Sequence, residues 1–234
     1  MAEGTLWLVP VWLGDAGGVE QLPPENIAVV ERVPLVFAED ERTARRMLRR
    51  MSPTLDLPAR EVHRLDKDTD AAAIETYVRM ITGREALLLS EAGMPAIADP
   101  GARLVAAAHR LGLRVVPLVG PSSLLLALAA SGLNGQHFTF HGYLPVRPEE
   151  RRRALKAIET EAQRSGAAQL FIETPYRNDA MLGDLLRTCQ ERTKVCVAVN
   201  VTQPDAFIHT RTVKEWRSAV PTIGKRPAVF ILGS

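Results

Sequence analysis

Short apolar runs alternate with amphipathic stretches along the first half of the chain. Each run is long enough for one buried strand, and each stretch has the spacing of a helix that covers a sheet. Helical connections bring successive strands into a parallel sheet with helices on both faces. The alternation therefore predicts an α/β fold. The predicted strands cover residues 5–9, 35–38, 86–89 and 115–118, and the predicted helices cover residues 41–51, 70–81, 102–111 and 121–131. The last helix is apolar almost all round, so we expect it to be deeply buried.

The second half of the chain has a different pattern. Pro148 is followed by two acids, which is typical of the first turn of a helix. Five short strand candidates surround that helix, and we expect a second α/β domain with a mixed sheet. The sequence therefore predicts domains over residues 1–117 and 118–234. The strand candidates cover residues 137–140, 170–172, 195–199, 207–209 and 229–232.

Composition narrows the class of protein. The chain has 234 residues, 46% hydrophobic and 24% charged, as in an ordinary folded domain, and its net charge of +2 excludes a wholesale polycation. Cys189 and Cys196 are too few for a disulfide scaffold, so we expect buried thiols in a reducing compartment. The first residues lack the features of a leader peptide, and no uncharged apolar run has the length of a membrane span. We therefore expect a cytoplasmic protein without a membrane partner.

Several chemistries lack their sequence signatures. The chain contains no P-loop, no ordinary dinucleotide fingerprint, no H-E-x-x-H and no G-x-S-x-G. Its five histidines are far apart and lack the spacing of metal ligands. We therefore expect no metal site and no hydrolytic nucleophile.

Two loops that follow predicted strands have the composition of ligand-binding turns. Residues 90–101 contain two glycines, two prolines and two acids, and residues 119–123 read Val-Gly-Pro-Ser-Ser. In an open α/β sheet, ligands bind at the carboxyl ends of the strands. The two loops therefore predict a pocket for a small molecule at that edge.

Several ordered motifs make the chain similar to a known family. Residues 90–101 resemble the Ser-Asp-Ala-Gly-Thr-Pro…Asp-Pro-Gly run of the bacterial small-subunit rRNA ribose methyltransferases known as methyltransferase I. The likeness runs from about Leu6 to Arg177 and is specific at the level of the tetrapyrrole methylase superfamily. The other similar segments are Val9-Pro10 with Gly14, Ala38-Glu39-Asp40 with Arg42, and residues 120–133, 138–145 and 152–159.

The resemblance implies a fold, a cofactor and partners. The fold would be two α/β domains of the tetrapyrrole methylase type, with S-adenosylmethionine in the cleft between them. The activity would be 2′-O-methylation of a ribose in small-subunit (16S) rRNA, with the small ribosomal subunit as partner and a homodimer as the assembly. The motifs carry over these cofactor-binding residues: Pro10, Ala92, Gly93, Met94, Ile97, Ser122 and Ser123, with Glu173 and Asn200 added from the second domain.

Acids on the candidate loops supply possible catalytic groups. Transfer of a methyl group from a sulfonium depends mainly on alignment of the reacting atoms. A ribose hydroxyl is nonetheless a poor nucleophile and gains from a base within hydrogen-bond reach. Asp40, Glu91 and Asp99 are the candidates, and we expect Asp40 to be the catalytic residue on the substrate side. For each of them, hydrogen bonding within its loop is the structural alternative.

The chain departs from the family on the substrate side. Where the rRNA enzymes read Ala-Arg-Glu-Leu-Thr-Lys, residues 198–203 read Ala-Val-Asn-Val-Thr-Gln, with Asn200 and Gln203 among the changes. The sequence also reads as a short form, since the family's small helical extension would follow Ser234. Two alternatives stay open: a methylase of a small molecule of the tetrapyrrole type, and a non-catalytic S-adenosylmethionine-binding protein.

Two basic clusters offer contacts for RNA. Each cluster has two interpretations. It would contact the phosphates of an RNA backbone, or it would form a solvated helix face paired with nearby glutamates. The first cluster is Arg42, Arg45, Arg46, Arg49 and Arg50, and the second is Arg147, Arg151, Arg152, Arg153 and Lys156.

Overall fold

A computed structural model describes residues 3–234 of the chain. Met1 and Ala2 lie outside the described residues, and so does the part of the leader prediction that falls on them. The chain divides into two compact units, Met1–Ser122 and Ser123–Ser234. The domain boundary predicted after residue 117 stays a prediction.

The first unit is built on a five-stranded sheet in the order β3-β2-β4-β1-β5. Every pairing in it is parallel. Helical crossovers join the strands, and helices cover both faces of the sheet. The strands are β1 Thr5–Val9, β2 Leu35–Ala38, β3 Glu61–Arg64, β4 Glu85–Leu89 and β5 Arg114–Pro117, and the helices are α1 Pro24–Arg32, α2 Glu41–Met51, α3 Ala71–Ile81 and α4 Ala102–Arg110.

The strand register aligns the carboxyl ends of the central strands. Leu89, the last residue of β4, pairs with Val9 on one side and with Ala38 on the other. The chain therefore leaves β1, β2 and β4 at the same level, and the loops that follow emerge side by side.

The second unit contains a mixed five-stranded sheet in the order β6-β7-β10-β8-β9. The β6–β7 pairing is parallel and the other three are antiparallel. The predicted class, a mostly parallel first sheet and a mixed second sheet in an α/β fold, is confirmed. The strands are β6 Phe138–Tyr143, β7 Ala168–Ile172, β8 Lys194–Val199, β9 Phe207–Thr212 and β10 Ala228–Gly233, and the helices are α5 Ser123–Ser131, α6 Pro148–Ser165, α7 Asn178–Thr188 and α8 Val213–Ser218.

Large buried side chains hold α6, α7 and α8 against one face of this mixed sheet. Phe171 and Phe230 stack with their ring centroids 5.5 Å apart. Trp216 is buried, and its Nε1 donates to the Val195 carbonyl at 2.9 Å, so its one polar atom is satisfied. Burying a large apolar side chain contributes about 1.5–3 kcal/mol, so this layer is a main source of the unit's stability.

Helix α5 differs from its prediction. It begins at Ser123 rather than at residue 121, and Leu125 and Leu126 are 55% and 39% exposed. Only one side of the helix, with Ala127 and Leu128, packs into a smaller apolar cluster on the sheet. The prediction of a deeply buried helix was wrong, because an apolar sequence does not require burial on every side.

Both cysteines are buried and free. Burial raises the pKa of Cys189 to about 12, and burial also raises the pKa of Cys196. Between residues 3 and 234, the chain forms no helix with the length and apolar character needed to cross a membrane.

Candidate functional site

Three loops meet at the carboxyl edge of the parallel sheet. The first loop covers residues 10–18 after β1, the second covers residues 90–101 after β4, and the third covers residues 118–122 after β5. The first and second are joined by a two-way backbone bridge, in which the Val11 N–H donates to the Gly93 carbonyl at 2.9 Å and the Gly93 N–H donates back at 2.9 Å. This bridge fixes the spacing of the two loops without using a side chain.

The third loop is held against the other two by close backbone approach. A methyl group on Gly120 would lie 2.3 Å from Cγ of Pro10, and one on Gly93 would lie 3.2 Å from the Pro121 carbonyl oxygen. The side chain of Asn26 donates to the Val119 carbonyl at 2.9 Å. Glycine is therefore required at position 120 by the contact with the first loop, and Gly93 also has a φ of 69°.

The second loop is shaped by its own polar side chains. The hydroxyl of buried Ser90 donates to the Gly93 carbonyl at 2.6 Å. Asp99 Oδ1 accepts from the Ala96 N–H at 2.9 Å and from the Gly101 N–H at 2.7 Å. Ala96 has a φ of 64°, a left-handed conformation that costs a residue with a side chain about 1–3 kcal/mol. The loop holds this conformation because Asp99 ties the backbone N–H groups of Ala96 and Gly101 to one carboxylate oxygen.

The predicted cofactor-binding residues of the first unit lie on these three loops. Pro10 and Gly93 are buried where the loops touch, Met94 is half-buried, and Ala92 and Ile97 are exposed. Ser122 is half-buried and directly follows Pro121, and Ser123 is the first residue of α5 in the second unit. The structure thus brings together the first-unit candidates from all three loops. Their contact with a cofactor stays a prediction.

Glu39 is a carboxyl group with an unusual proton affinity, and our sequence reasoning did not select it. It is half-buried and follows β2, in line with Ser90 after β4. Burial and the nearby negative charges of Asp99, Glu91 and Asp66 raise the pKa of Glu39 to about 7. Glu39 therefore exchanges its proton near neutral pH. Its charge environment depends mainly on Asp99 and Glu91 of the second loop, which the pairing of β4 with β2 brings close, and less on Asp66 after β3.

Asp40, the predicted catalytic residue, has a structural task. It is the N-cap of α2, and its Oδ1 accepts from the Thr43 N–H at 2.7 Å. That backbone hydrogen bond, with a further bond from the Thr43 hydroxyl, lowers the pKa of the exposed Asp40 carboxyl. A lowered pKa makes a carboxylate a weaker proton acceptor. The catalytic role of Asp40 stays a prediction.

Glu173 and Asn200 lie at one edge of the mixed sheet. They follow β7 and β8, on the two sides of the point where β10 begins. Glu173 is buried, its Oε1 accepts from Arg177 Nε at 3.0 Å, and among residues 3–234 no group hydrogen bonds to its Oε2. Asn200 has a φ of 49° and donates from its side chain to Asp205. Glu173 Oε2 is therefore a buried carboxylate oxygen without a hydrogen-bond partner among the described residues.

The basic helix α2 is largely occupied by structural contacts. Arg45 donates to the Leu57 carbonyl at 2.8 Å, and Arg49 donates to the Pro53 carbonyl at 2.9 Å. Arg50 donates to the Gly17 carbonyl at 2.6 Å and lies over the Trp12 ring. These bonds anchor neighbouring loops and fix the positions of three of the five arginines of the cluster, which thus also serve the fold.

Comparison with known families gives a match over most of the chain. The family described as Tetrapyrrole (Corrin/Porphyrin) Methylases matches residues 7–216. The Ribosomal RNA small subunit methyltransferase I of Xylella fastidiosa strain Temecula1 is 37% identical over 182 residues, covering 78% of this chain and 63% of the relative. The protein of the same name from Escherichia coli O157:H7 is 33% identical, covering 92% of this chain and 71% of the relative. The chain thus spans less than two thirds of the first of these relatives.

Solved structures share the fold. Diphthine synthase superposes with a TM-score of 0.67 at 13% identity, covering 98% of this chain and 90% of that one. Uroporphyrin-III C-methyltransferase from Thermus thermophilus, in complex with S-adenosylhomocysteine, superposes with a TM-score of 0.57 at 19% identity, covering 99% and 98%. At these identities the likeness is one of architecture.

Proposed function

Because the chain belongs to the Tetrapyrrole (Corrin/Porphyrin) Methylases family, we propose that it is an S-adenosylmethionine-dependent methyltransferase that methylates a ribose 2′-hydroxyl of small-subunit (16S) ribosomal RNA. The observation that carries this proposal is the meeting of the three loops at the carboxyl edge of the parallel sheet. The RNA substrate is taken from the relatives named Ribosomal RNA small subunit methyltransferase I, which match 78% and 92% of this chain.

The residues present fit the cofactor. S-adenosylmethionine supplies an activated methyl group on a positively charged sulfur. The glycines at 93 and 120 let the three loops pack closely against one another, which shapes the edge where we place the ligand. We assign Pro10, Ala92, Gly93, Met94, Ile97, Ser122 and Ser123 to its binding, with Glu173 and Asn200 as contributors from the second unit.

Glu39 is the residue we assign to proton transfer. A group with a pKa near the working pH accepts a proton most effectively, and Glu39 has a pKa of about 7. Asp40, with its lowered pKa and its bond to the Thr43 N–H, holds the start of α2 in place next to it. The orientation of the ribose hydroxyl toward Glu39 then determines the rate.

Replacing Gly120 with alanine tests the cofactor site. The added methyl group would overlap Pro10 and push the first and third loops apart. Overpacking of this kind costs about 1–3 kcal/mol, and we expect the affinity for S-adenosylmethionine to fall about tenfold or more. Calorimetry measures this affinity. Gly135→Ala is the matched control, since a methyl group there meets no atom within 4 Å. Equal affinities for the two variants would contradict the assignment of the loops.

The activity is tested with small ribosomal subunits from a strain that lacks this protein. We expect the purified protein to bind S-adenosylmethionine and to transfer one labelled methyl group to the rRNA, which mass spectrometry then places on a ribose. Methylation of a porphyrinoid instead would establish the tetrapyrrole-type alternative, and tight cofactor binding without turnover would establish a non-catalytic binding protein. Absence of binding to either the cofactor or its demethylated product would reject all three.

Assembly and location are further proposals. A homodimer and a cytoplasmic location are implied by the family resemblance and by the sequence composition. The two buried, free thiols are compatible with a reducing compartment. Light scattering of the purified protein measures the number of subunits, with a monomer as the result that rejects the dimer.

A further inference from the structure

Three arginines converge on one buried carboxylate in the second unit. Asp184 of α7 is 2% exposed. Its Oδ2 accepts from Nε of Arg151 at 2.8 Å and also from Nη2 of Arg151. Its Oδ1 lies 2.7 Å from Nη2 of Arg187 and 3.7 Å from Nη1 of Arg152. One negative charge is thus shared by three positive ones.

Only one of these arginines is needed to neutralise the aspartate. Arg151 is 5% exposed and makes the buried pair, with its Nη1 bonded to the Val146 carbonyl at 3.0 Å. The side chains of Arg152 and Arg187 are 44% and 67% exposed. Their charges are therefore in excess, and both guanidinium groups are held at the surface within 4 Å of the same oxygen.

The basic surface continues on both sides of this pair. Arg147 and Arg152 line one hollow of about 410 Å³ at the start of α6, together with Glu149 and Glu150. Arg187 and Arg217 line a groove of about 590 Å³ between α7 and α8. Nε of Arg217 donates to the Leu186 carbonyl at 2.9 Å, which fixes its position. We call the row Arg147, Arg152, Arg187 and Arg217 the arginine track.

Acidic neighbours along the arginine track are weakly held. Arg147 pairs with Glu150 at 3.4 Å, and Arg217 pairs with Glu191 at 3.3 Å. All four of these side chains are at least 41% exposed. Exposed ion pairs of this kind contribute little, so an incoming anion displaces them readily. Asp184 is buried beside the track, and Arg151 already compensates its charge.

We propose that the arginine track binds the phosphodiester backbone of RNA. The planar guanidinium group presents paired N–H donors that match phosphate oxygens, and guanidinium groups held in place lose little freedom on binding. A row of such groups suits a polymer with regularly spaced phosphates. The inference rests on the proposed function for the identity of the RNA, and it adds a surface that lies on the helices of the second unit rather than on the three loops.

The test removes the two central charges of the track. In an Arg152→Gln/Arg187→Gln variant, we expect the Kd for a fluorescently labelled small-subunit rRNA to rise about tenfold or more at about 0.1 M salt. The slope of log Kd against log salt should fall by about 1.4–1.8, since each lost phosphate contact contributes about 0.7–0.9. An Arg152→Lys/Arg187→Lys variant keeps the charges and should restore most of the salt slope.

Arg164→Gln is the matched control. Arg164 lies on α6, the helix of Arg152, and is 72% exposed. It pairs with Glu161 on the same helix and lies outside the arginine track, so its loss should leave RNA affinity unchanged. Unchanged melting temperature and cofactor affinity in the glutamine variant show that its fold is intact. The proposal is overturned if the glutamine variant keeps the RNA affinity or the salt slope of the wild type. It is also overturned if the variant loses affinity for intact small subunits but not for the free rRNA, because that result indicates a protein partner. A different result would reject the proposed function and not the track. In that case the glutamine variant loses RNA binding, but the wild type methylates no rRNA.

Discussion

A Glu39→Gln enzyme is expected to transfer methyl groups about 10²- to 10⁴-fold more slowly than the wild type. Glutamine keeps the shape of the side chain but accepts no proton, so the ribose hydroxyl loses its base. We propose that the three loops bind the cofactor, so its affinity should change little. Single-turnover rates with saturating rRNA measure the chemical step, and calorimetry measures the cofactor affinity.

The pH dependence separates Glu39 from Asp40. Only the ionised form of Glu39 accepts a proton, so the wild-type rate should rise with pH up to about 7, the pKa of this group, and then level off. Glu39→Gln should lose this rise. Asp40→Ala should keep the rise and instead lower the melting temperature, because it removes the bond that caps α2. The reverse result would assign proton transfer to Asp40.

Replacing Asp184 with asparagine is expected to lower the free energy of unfolding by about 3–5 kcal/mol. The substitution removes the charge with almost no change in volume and leaves the guanidinium of Arg151 buried without its counter-charge. Urea unfolding at neutral pH measures the loss. Glu161→Gln, which breaks the exposed pair with Arg164 on α6, the helix of Arg151, is the control and should have a much smaller effect.

The loss should depend on pH with a defined sign. Burial raises the pKa of Asp184, but the hydrogen bonds from Arg187 and Arg151 outweigh it and hold the pKa below the ordinary value of 3.8. A carboxylate with a lowered pKa stabilises the fold above its unfolded pKa and loses that contribution as the pH falls through its folded pKa. The difference between wild type and Asp184→Asn should therefore shrink below about pH 4. A difference that stays constant at low pH would contradict a charge-based origin.

The sequence predicted the elements whose patterns are strong. Helix α2 spans Glu41–Met51 as predicted, because Asp40 caps it and an apolar stripe lies along one side. Strand β3, Glu61–Arg64, was missed, because it reads Glu-Val-His-Arg and has no buried residue. Strand β3 is therefore stabilised by its pairing with β2 and not by a strand pattern in its own sequence.

The candidate site shows the same division. Glycine and proline at the loop positions indicated where a ligand would lie, because close backbone contact requires those residues. The raised pKa of Glu39 could not be predicted from the sequence, since it arises from burial in the folded chain and from carboxylates that follow different strands. Likewise, Arg151 was grouped with surface charges, because only the packing of α6 against α7 brings it to Asp184.

The backbone bridge between Val11 and Gly93 has a consequence for binding kinetics. Loops that are mutually braced before a ligand arrives lose little conformational entropy when it binds, so more of the contact energy remains as affinity. Ligand association at such an edge needs no slow ordering step. The rate of cofactor binding should then follow encounter rather than loop closure, while residence time is set by the contacts alone.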